Sequence, residues 1–298
     1  MQEDGCVMDR RRERTYKPVT VPFAATPAGE PPSIRDWANP RVWTDRMLTT
    51  LPHGVRGGRW HTLIDKVYAP LNLFAASESV IGNRGAAGVD HQTVAGFLAQ
   101  RREELDRLHE ALRTDRYRPQ AVRRVWIPKP GSKEQLPLTV PTLEDKVLQR
   151  AVVMLLEPIY EQDFDVGSYG FRPGRSAHDA LEDLWKRTMD SSGGWILEVD
   201  IRKFFDTLDH AHRREFLHLR VRDGVLKRLI GKWLKAGVME SGSVSYPEAG
   251  SPQGGVITPP TILQNFRFCF RLPCREPGFG LSMARASGGS QVARRPVM

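Results

Sequence analysis

Residues 199–206 read VDIRKFFD, and they close a segment, GWILEVDI (194–201), that alternates as a β-strand. Trp195, Leu197, Val199 and Ile201 share one face, while Ile196, Glu198 and Asp200 share the other. Asp200 therefore stands at the strand's end, opposite the core-facing apolar row, with two aromatics and a second acid, Asp206, just beyond. A carboxylate at a strand edge suits Mg²⁺, which takes hard oxygen ligands and is usually held by one or two carboxylates plus phosphates. The plainer reading is that Asp200 only ends the strand and Asp206 caps the next helix.

Upstream of this strand the pattern is helical. Thr142 opens a helix with Asp145 at the capping-box position, and Val147, Leu148, Ala151, Val152, Leu155, Leu156 and Ile159 form an apolar stripe. After SYGFRPGR (168–175), Ser176 and Asp179 cap a second helix bearing Ala180, Leu181, Leu184 and Trp185. Further back, Thr93 to Arg113 repeats apolar residues at helical spacing, and 62–81 reads as short helical pieces broken at Pro70. Between these lies RRVWIPKPGSKEQLPLTVP (123–141), an alternating, proline-marked segment that predicts an edge β-hairpin turning at Pro130-Gly131. Downstream come two helices, roughly 209–222 and 223–236, then strand-like VSY (244–246) leading into GSPQGG (250–255). Residues 1–33, rich in Pro, Gly and charge, read as a flexible arm. Helices and strands mixed through hairpin connections predict an α+β fold rather than a doubly wound sheet.

The chain of 298 residues is 40% hydrophobic and 27% charged, enough for a globular core, which excludes wholly disordered and collagen-like classes. No stretch approaches the roughly 20 apolar residues of a membrane span, and no apolar run follows the first charges as in a secretory signal. Cys6, Cys269 and Cys274 form no C-x-x-C pair, a usage that suits a reducing cytoplasm and disfavours a zinc knuckle. The net charge of +9 is uneven. Arg113 to Lys133 carries +6, and Thr261 to the end carries +5. Such a run can be a solvated face, but Tyr117 and Trp126 interleave the first patch, as where a phosphate backbone is tracked and bases are packed.

VDIRKFFD, preceded by SYGFRPGRSAHDAL (168–181) and followed by GSPQGGVITP (250–259), resembles the reverse transcriptases encoded by group II introns. GGRWHTLIDKVY (57–68), RGAAGVD (84–90) and RYRPQAVRRVWIPKPGSKEQ (116–135) are similar to the same family in order and spacing, so the resemblance covers about 57–259. It implies the fingers and partial palm of a right-hand polymerase, with helices packed on a small antiparallel sheet. The implied reaction is RNA-templated, Mg²⁺-dependent addition of deoxynucleotides (dNTPs) to a primer, together with intron RNA binding and splicing assistance. Asp200 matches the first metal-binding aspartate of the palm, the implied catalytic residue. Phe205 matches the aromatic under the incoming sugar, and Gln253 the residue that contacts that nucleotide. Gly254 and Gly255 let backbone approach the duplex. Lys129 and Lys133 lie on the finger hairpin that meets the triphosphate. Arg116, Arg123 and Arg124 extend that basic surface toward RNA, and Arg172 and Arg175 are implied to touch template. Gln253 could equally bond its own loop, and Arg172 and Arg175 could be surface charges at a helix start.

Two departures from the family pattern stand out. No Asp-Asp occurs in the chain, whereas the family holds its metals with such a pair on a later hairpin. Leu136 and Thr139 stand where the family usually has Arg and Gly, which removes a charge-assisted contact to the triphosphate. From Pro260 the residues lose helical and strand period, as expected of a truncation or frameshift just past Thr258. The expected organisation is an arm (1–56), an N-terminal extension with fingers (57–141), a partial reverse transcriptase domain (142–259) and a non-family tail (260–298). On this reading the chain does not polymerise alone. A non-catalytic intron-RNA-binding fragment and an unselected remnant are the rival readings.

Overall fold

Fourteen elements are built from the described part of the computed structural model, which covers residues 33–54, 58–129, 131, 133, 135–190, 210–246 and 256. The expectations for 1–32, for the strand at 194–201 and for the tail lie outside these residues.

Helix α7 (Leu143–Glu161) organises the core. Thr142 caps it, its Oγ1 accepting from the Asp145 N–H at 3.2 Å. The predicted stripe is fully buried, but Val153, Met154 and Tyr160 are buried too, so the helix is covered on nearly every side. Helices α3 (Ile64–Val67) and α4 (Pro70–Gly82) pack against it. Pro70 does not merely break a helix: it occupies the first turn of α4, where its missing N–H has no partner to lose. The buried Asn72 amide ties the three helices by donating to the carbonyls of Lys66 (3.0 Å) and Ala151 (3.2 Å).

Residues 34–54, assigned from sequence to the arm, instead fold as α1 (Ile34–Trp37) and α2 (Asp45–Gly54). Trp43 and Leu51 enter the core, each 1% exposed. The expected helix at 93–113 is two, α5 (Val94–Ala99) and α6 (Arg101–Arg113), because Gln100 leaves helical geometry at φ −120°, ψ 20°.

The hairpin forms as β1 (Val122–Pro128) and β2 (Gln135–Val140), paired antiparallel, with Gly131 at φ +76° in the turn. Pro137 sits in β2, the edge strand, where no ladder donor is lost from the interior. The sheet has order β2-β1-β3-β4 and is mixed, not wholly antiparallel as expected. The short β3 (Val238–Glu240) returns parallel to β1 after the intervening helices, pairing Val122 with Val238 and Arg123 with Met239. It then pairs antiparallel with β4 (Ser243–Ser245) through a two-residue turn. That turn places Ser241 at φ +49° and Gly242 at +82°, the mirror-image geometry that matches strand twist.

Helix α8 (Ala177–Asp190) carries a reciprocal capping box. Ser176 N–H donates to Asp179 Oδ2 at 2.7 Å, and Asp179 N–H to Ser176 Oγ at 3.2 Å. Helices α9 (His210–Arg220) and α10 (Gly224–Leu234) follow, and α10 buries Leu226, Leu229, Ile230 and Trp233. No described helix is long and apolar enough to cross a membrane.

Candidate nucleic-acid interface

The hairpin sets out the basic residues of its patch at graded exposure. Lys129 and Lys133, at the tip, are exposed. Strand alternation sends Arg123 and Arg124 to opposite faces. Arg123, half-buried, donates to the Ala87 carbonyl at 2.8 Å and so ties the strand to the 84–90 loop. Arg124 pairs with Glu240 of β3 at 3.1 Å, and Trp126, on the same face, donates its indole N–H to the other Glu240 oxygen at 2.7 Å. Glu240 thus neutralises part of Arg124 and holds the Trp126 ring, 45% exposed, on the sheet. Arg116 is exposed on the loop between α6 and β1.

Tyr117 behaves differently from its expected place in the basic patch. It is buried, its hydroxyl donates to Asp145, and it accepts from the Trp233 indole at 2.8 Å. Burial, with the Asp145 charge beside it, pushes the Tyr117 hydroxyl far above its ordinary value. Asp145 is 2% exposed and burial raises its pKa, against the hydrogen bonds from Tyr117 and Thr142 that favour its charged form. The capping-box expectation for Asp145 is therefore half met: its N–H is capped, while its carboxylate serves this buried network.

Arg172 and Arg175 part company. The Arg172 guanidinium is buried against Glu161 (2.6 Å) and also donates to the Asp165 and Ser168 carbonyls at 2.7 and 2.6 Å. It clasps the loop after α7. Arg175 is half-buried, stacked over Tyr169 at 5.2 Å from the ring centre. Asp200, Phe205, Gln253 and Gly254 lie outside the described residues. Among the described residues no three His, Cys, Asp or Glu side chains cluster as a metal site, so the fit of Mg²⁺ rests on the resemblance at Asp200 and not on a donor set in view.

Two features escaped the sequence reading. Glu240 was unremarkable because a three-residue strand has too little alternation to be seen, and its partner Arg124 lies over a hundred residues away. Helix α10 and its C-cap Lys235 present Lys227, Arg228, Lys232 and Lys235 on one face, a signal that helical spacing would have found but net charge hid.

The reverse transcriptase (RNA-dependent DNA polymerase) family matches residues 127–266. The group II intron-encoded protein LtrA of Lactococcus lactis subsp. cremoris is 38% identical over 188 residues, 62% of this chain and 31% of the relative. Protein YkfC of Escherichia coli (strain K12) is 36% identical over 206 residues, 67% of this chain and 54% of the relative. Among solved structures, a chain of the "Partial Cas6-RT-Cas1--Cas2 complex" aligns with 22% identity and a TM-score of 0.47, over 70% of this chain and 34% of that one. The chain spans between about a third and a half of the length of these curated relatives. Residues 127–266 thus match the reverse transcriptase family, and about two thirds of the chain is similar to relatives that include a group II intron-encoded protein.

Proposed function

We propose that this chain supplies the fingers and palm surface of an RNA-directed DNA polymerase of group II intron type, which copies an RNA template onto a DNA primer from dNTPs. The observation that carries the reading is the order along the sequence of the basic segment 116–135, VDIRKFFD (199–206) and GSPQGG (250–255), the last two inside the matched region. Lys129 and Lys133 are exposed at the hairpin tip, positioned as point charges for a triphosphate. Arg116 and Arg175 are the arginines of the proposed set best placed to take template phosphates. Arg123, Arg124 and Arg172 are committed to protein partners and act by holding the hairpin and the 168–175 loop in place.

Asp200 would give one carboxylate to Mg²⁺, which when bound supplies charge neutralisation at the transferring phosphoryl group. Phe205 and Gln253 would position the incoming sugar and base, and Gly254 would leave room for the duplex. Intron RNA is the proposed partner for splicing assistance, and the cysteine usage suits a reducing cytoplasm. Primer extension on an RNA template tests the reading. Without an Asp-Asp pair the chain alone is expected not to extend a primer; incorporation that Asp200→Ala abolishes would show that the missing carboxylates are dispensable, and incorporation indifferent to Asp200→Ala removes Asp200 from the chemistry.

A further inference from the structure

Helix α10 is two-sided in an unusual way. Leu226, Leu229, Ile230 and Trp233 face the core, while Gly224, Lys227, Arg228, Gly231, Lys232 and Lys235 fall on the opposite face at helical spacing. Every position of that outer row is a cation or a glycine. The row floors a groove of about 740 Å³ that Arg118 and Arg214 also line, with no carboxylate among its lining residues. Residues 210–236 hold eight Lys or Arg against two acids, Glu215 and Asp223. Asp223 is buried on backbone N–H groups and is not among the residues that line the groove.

The partners of these cations leave much of the charge open. Lys232 pairs with Asp115 at 2.7 Å, at the groove's edge. Among the described residues Lys227 pairs with no carboxylate and approaches the His218 ring at 2.7 Å. Arg214 and Lys235 form no ion pair with an acid among the described residues, and Arg228 feels the Asp115 charge without pairing with it directly. Holding so many uncompensated cations together is unfavourable unless a polyanion enters. Tyr246 adds an aromatic wall, 71% exposed. Its ring packs close to Gly237, where any Cβ would stand 2.9 Å from Tyr246 Cε1, so the glycine makes room for the ring. Cations beside an open aromatic face are the combination that tracks a nucleic-acid backbone and stacks a base.

The groove is also separate from the hairpin tip. Arg118 and Pro119 precede the Val122 end of β1, whereas Lys129 follows its Pro128 end, about 20 Å away along the strand. From Lys227 to Lys235 the row runs about 12 Å along the helix axis, long enough to meet more than one phosphate of a nucleic-acid strand.

We propose that the cationic face of α10, with Arg118, Arg214 and Tyr246, is a second docking surface for the phosphodiester backbone of structured RNA. The choice of RNA rests on the reverse transcriptase reading; the charge and shape of the groove do not. The test is binding of a labelled RNA stem-loop to the full chain, by fluorescence anisotropy across a salt series. Arg228→Glu with Lys235→Glu alters two exposed side chains and is expected to lower affinity at least about tenfold and to reduce the salt slope by about two. Gly231→Glu is a second probe, because a Cβ at Gly231 meets nothing within 4 Å and the new carboxylate enters the groove without touching the core. Gly231→Ala is expected to bind as the parent does. Unchanged affinity and slope in both charge variants overturns the proposal, even where primer extension at Asp200 succeeds. Weakened binding in both charge variants upholds the groove whether or not the parent chain extends a primer. Equal competition by a DNA duplex of the same sequence, or binding of polyglutamate in place of RNA, overturns the assignment to RNA.

Discussion

The indole N–H of Trp43 donates to the Met154 carbonyl at 3.1 Å, and that carbonyl is the one Pro158 leaves without its helical donor. Proline has no N–H to return to the residue four places earlier, so an interior proline costs a helix on the order of 3 kcal/mol. Here the lost donor is replaced from α2's approach segment, over a hundred residues away. Trp43→Phe keeps the aromatic packing but strands the carbonyl, and urea unfolding is expected to show a loss of about 1–3 kcal/mol. With Pro158→Ala in place, the helix regains its own donor and the same Trp43→Phe change should cost clearly less. Equal costs in the two backgrounds would show that the indole bond is incidental.

Asp223 joins two helix starts at once. Its Oδ1 accepts from the N–H groups of Val225 and Leu226 at 2.9 and 3.0 Å, and its Oδ2 from Leu63 and Ile64 at 2.7 and 2.8 Å. Desolvation pushes its carboxyl up, but these four backbone bonds together hold it below its ordinary value. As pH falls, the unfolded chain therefore takes the proton first. The stabilisation is present above the ordinary carboxylate range and is lost as pH drops through it toward the depressed folded value. Asp223→Ala is expected to cost on the order of 2–4 kcal/mol. Asp223→Asn should flatten the acid limb of the stability curve, which chemical denaturation at a series of pH values will read directly.

Gly88, in the RGAAGVD loop, packs against the start of α7. A Cβ there would stand 2.6 Å from Thr142 Cα and 2.9 Å from the Pro141 carbonyl, both backbone atoms that cannot swing aside. Gly88→Ala is expected to lower stability by about 1–3 kcal/mol, whereas Gly82→Ala, which meets nothing within 4 Å, should be neutral or slightly stabilising. A matched pair of thermal unfolding curves separates the two. The neighbouring carbonyls of Ala86 and Ala87 receive Lys146 and Arg123, so the loop joins the hairpin to α7. Loosening of Gly88 should therefore also raise hydrogen exchange along β1.

Where pattern is local and long, the sequence discloses the structure. The α7 residues from Val147 to Ile159 repeat at helical spacing and are buried as expected, and Ser176 with Asp179 forms its box because every partner lies within three residues. The hairpin is legible for the same reason. Tyr117 shows the opposite case: in sequence it interleaves Arg116 and Arg118 like a base-stacking ring, and only Trp233, 116 positions on, shows it to be core. Trp43 and Leu51 were hidden because short helices among Pro, Gly and charge leave no period to read. The parallel β1–β3 pairing depends on two residue pairs brought together by the whole run of helices between them. Of the candidate site, the basic hairpin is in view, while the roles of Asp200, Phe205, Gln253 and Gly254 stand on the family pattern.

Arg172 and Arg175 sit three residues apart in one turn and are expected to fail in different ways. Arg172 gives Glu161 a paired contact and fills two loop carbonyls, with its own side chain 6% exposed. Arg172→Ala leaves the Glu161 charge without its partner, and breaking such a pair costs about 3 kcal/mol. Lysine cannot restore the forked geometry, so Arg172→Lys should recover little of that loss. Arg175 rests on Tyr169, and its Nε is buried without a partner, so Arg175→Ala should leave the unfolding midpoint nearly unchanged. If Arg175 meets template phosphate, its removal lowers RNA affinity and the salt slope by about one. Measuring midpoint and RNA affinity side by side assigns each arginine: Arg172 moves the first, Arg175 the second. A shared effect on RNA affinity at native stability would return Arg172 to the nucleic-acid surface.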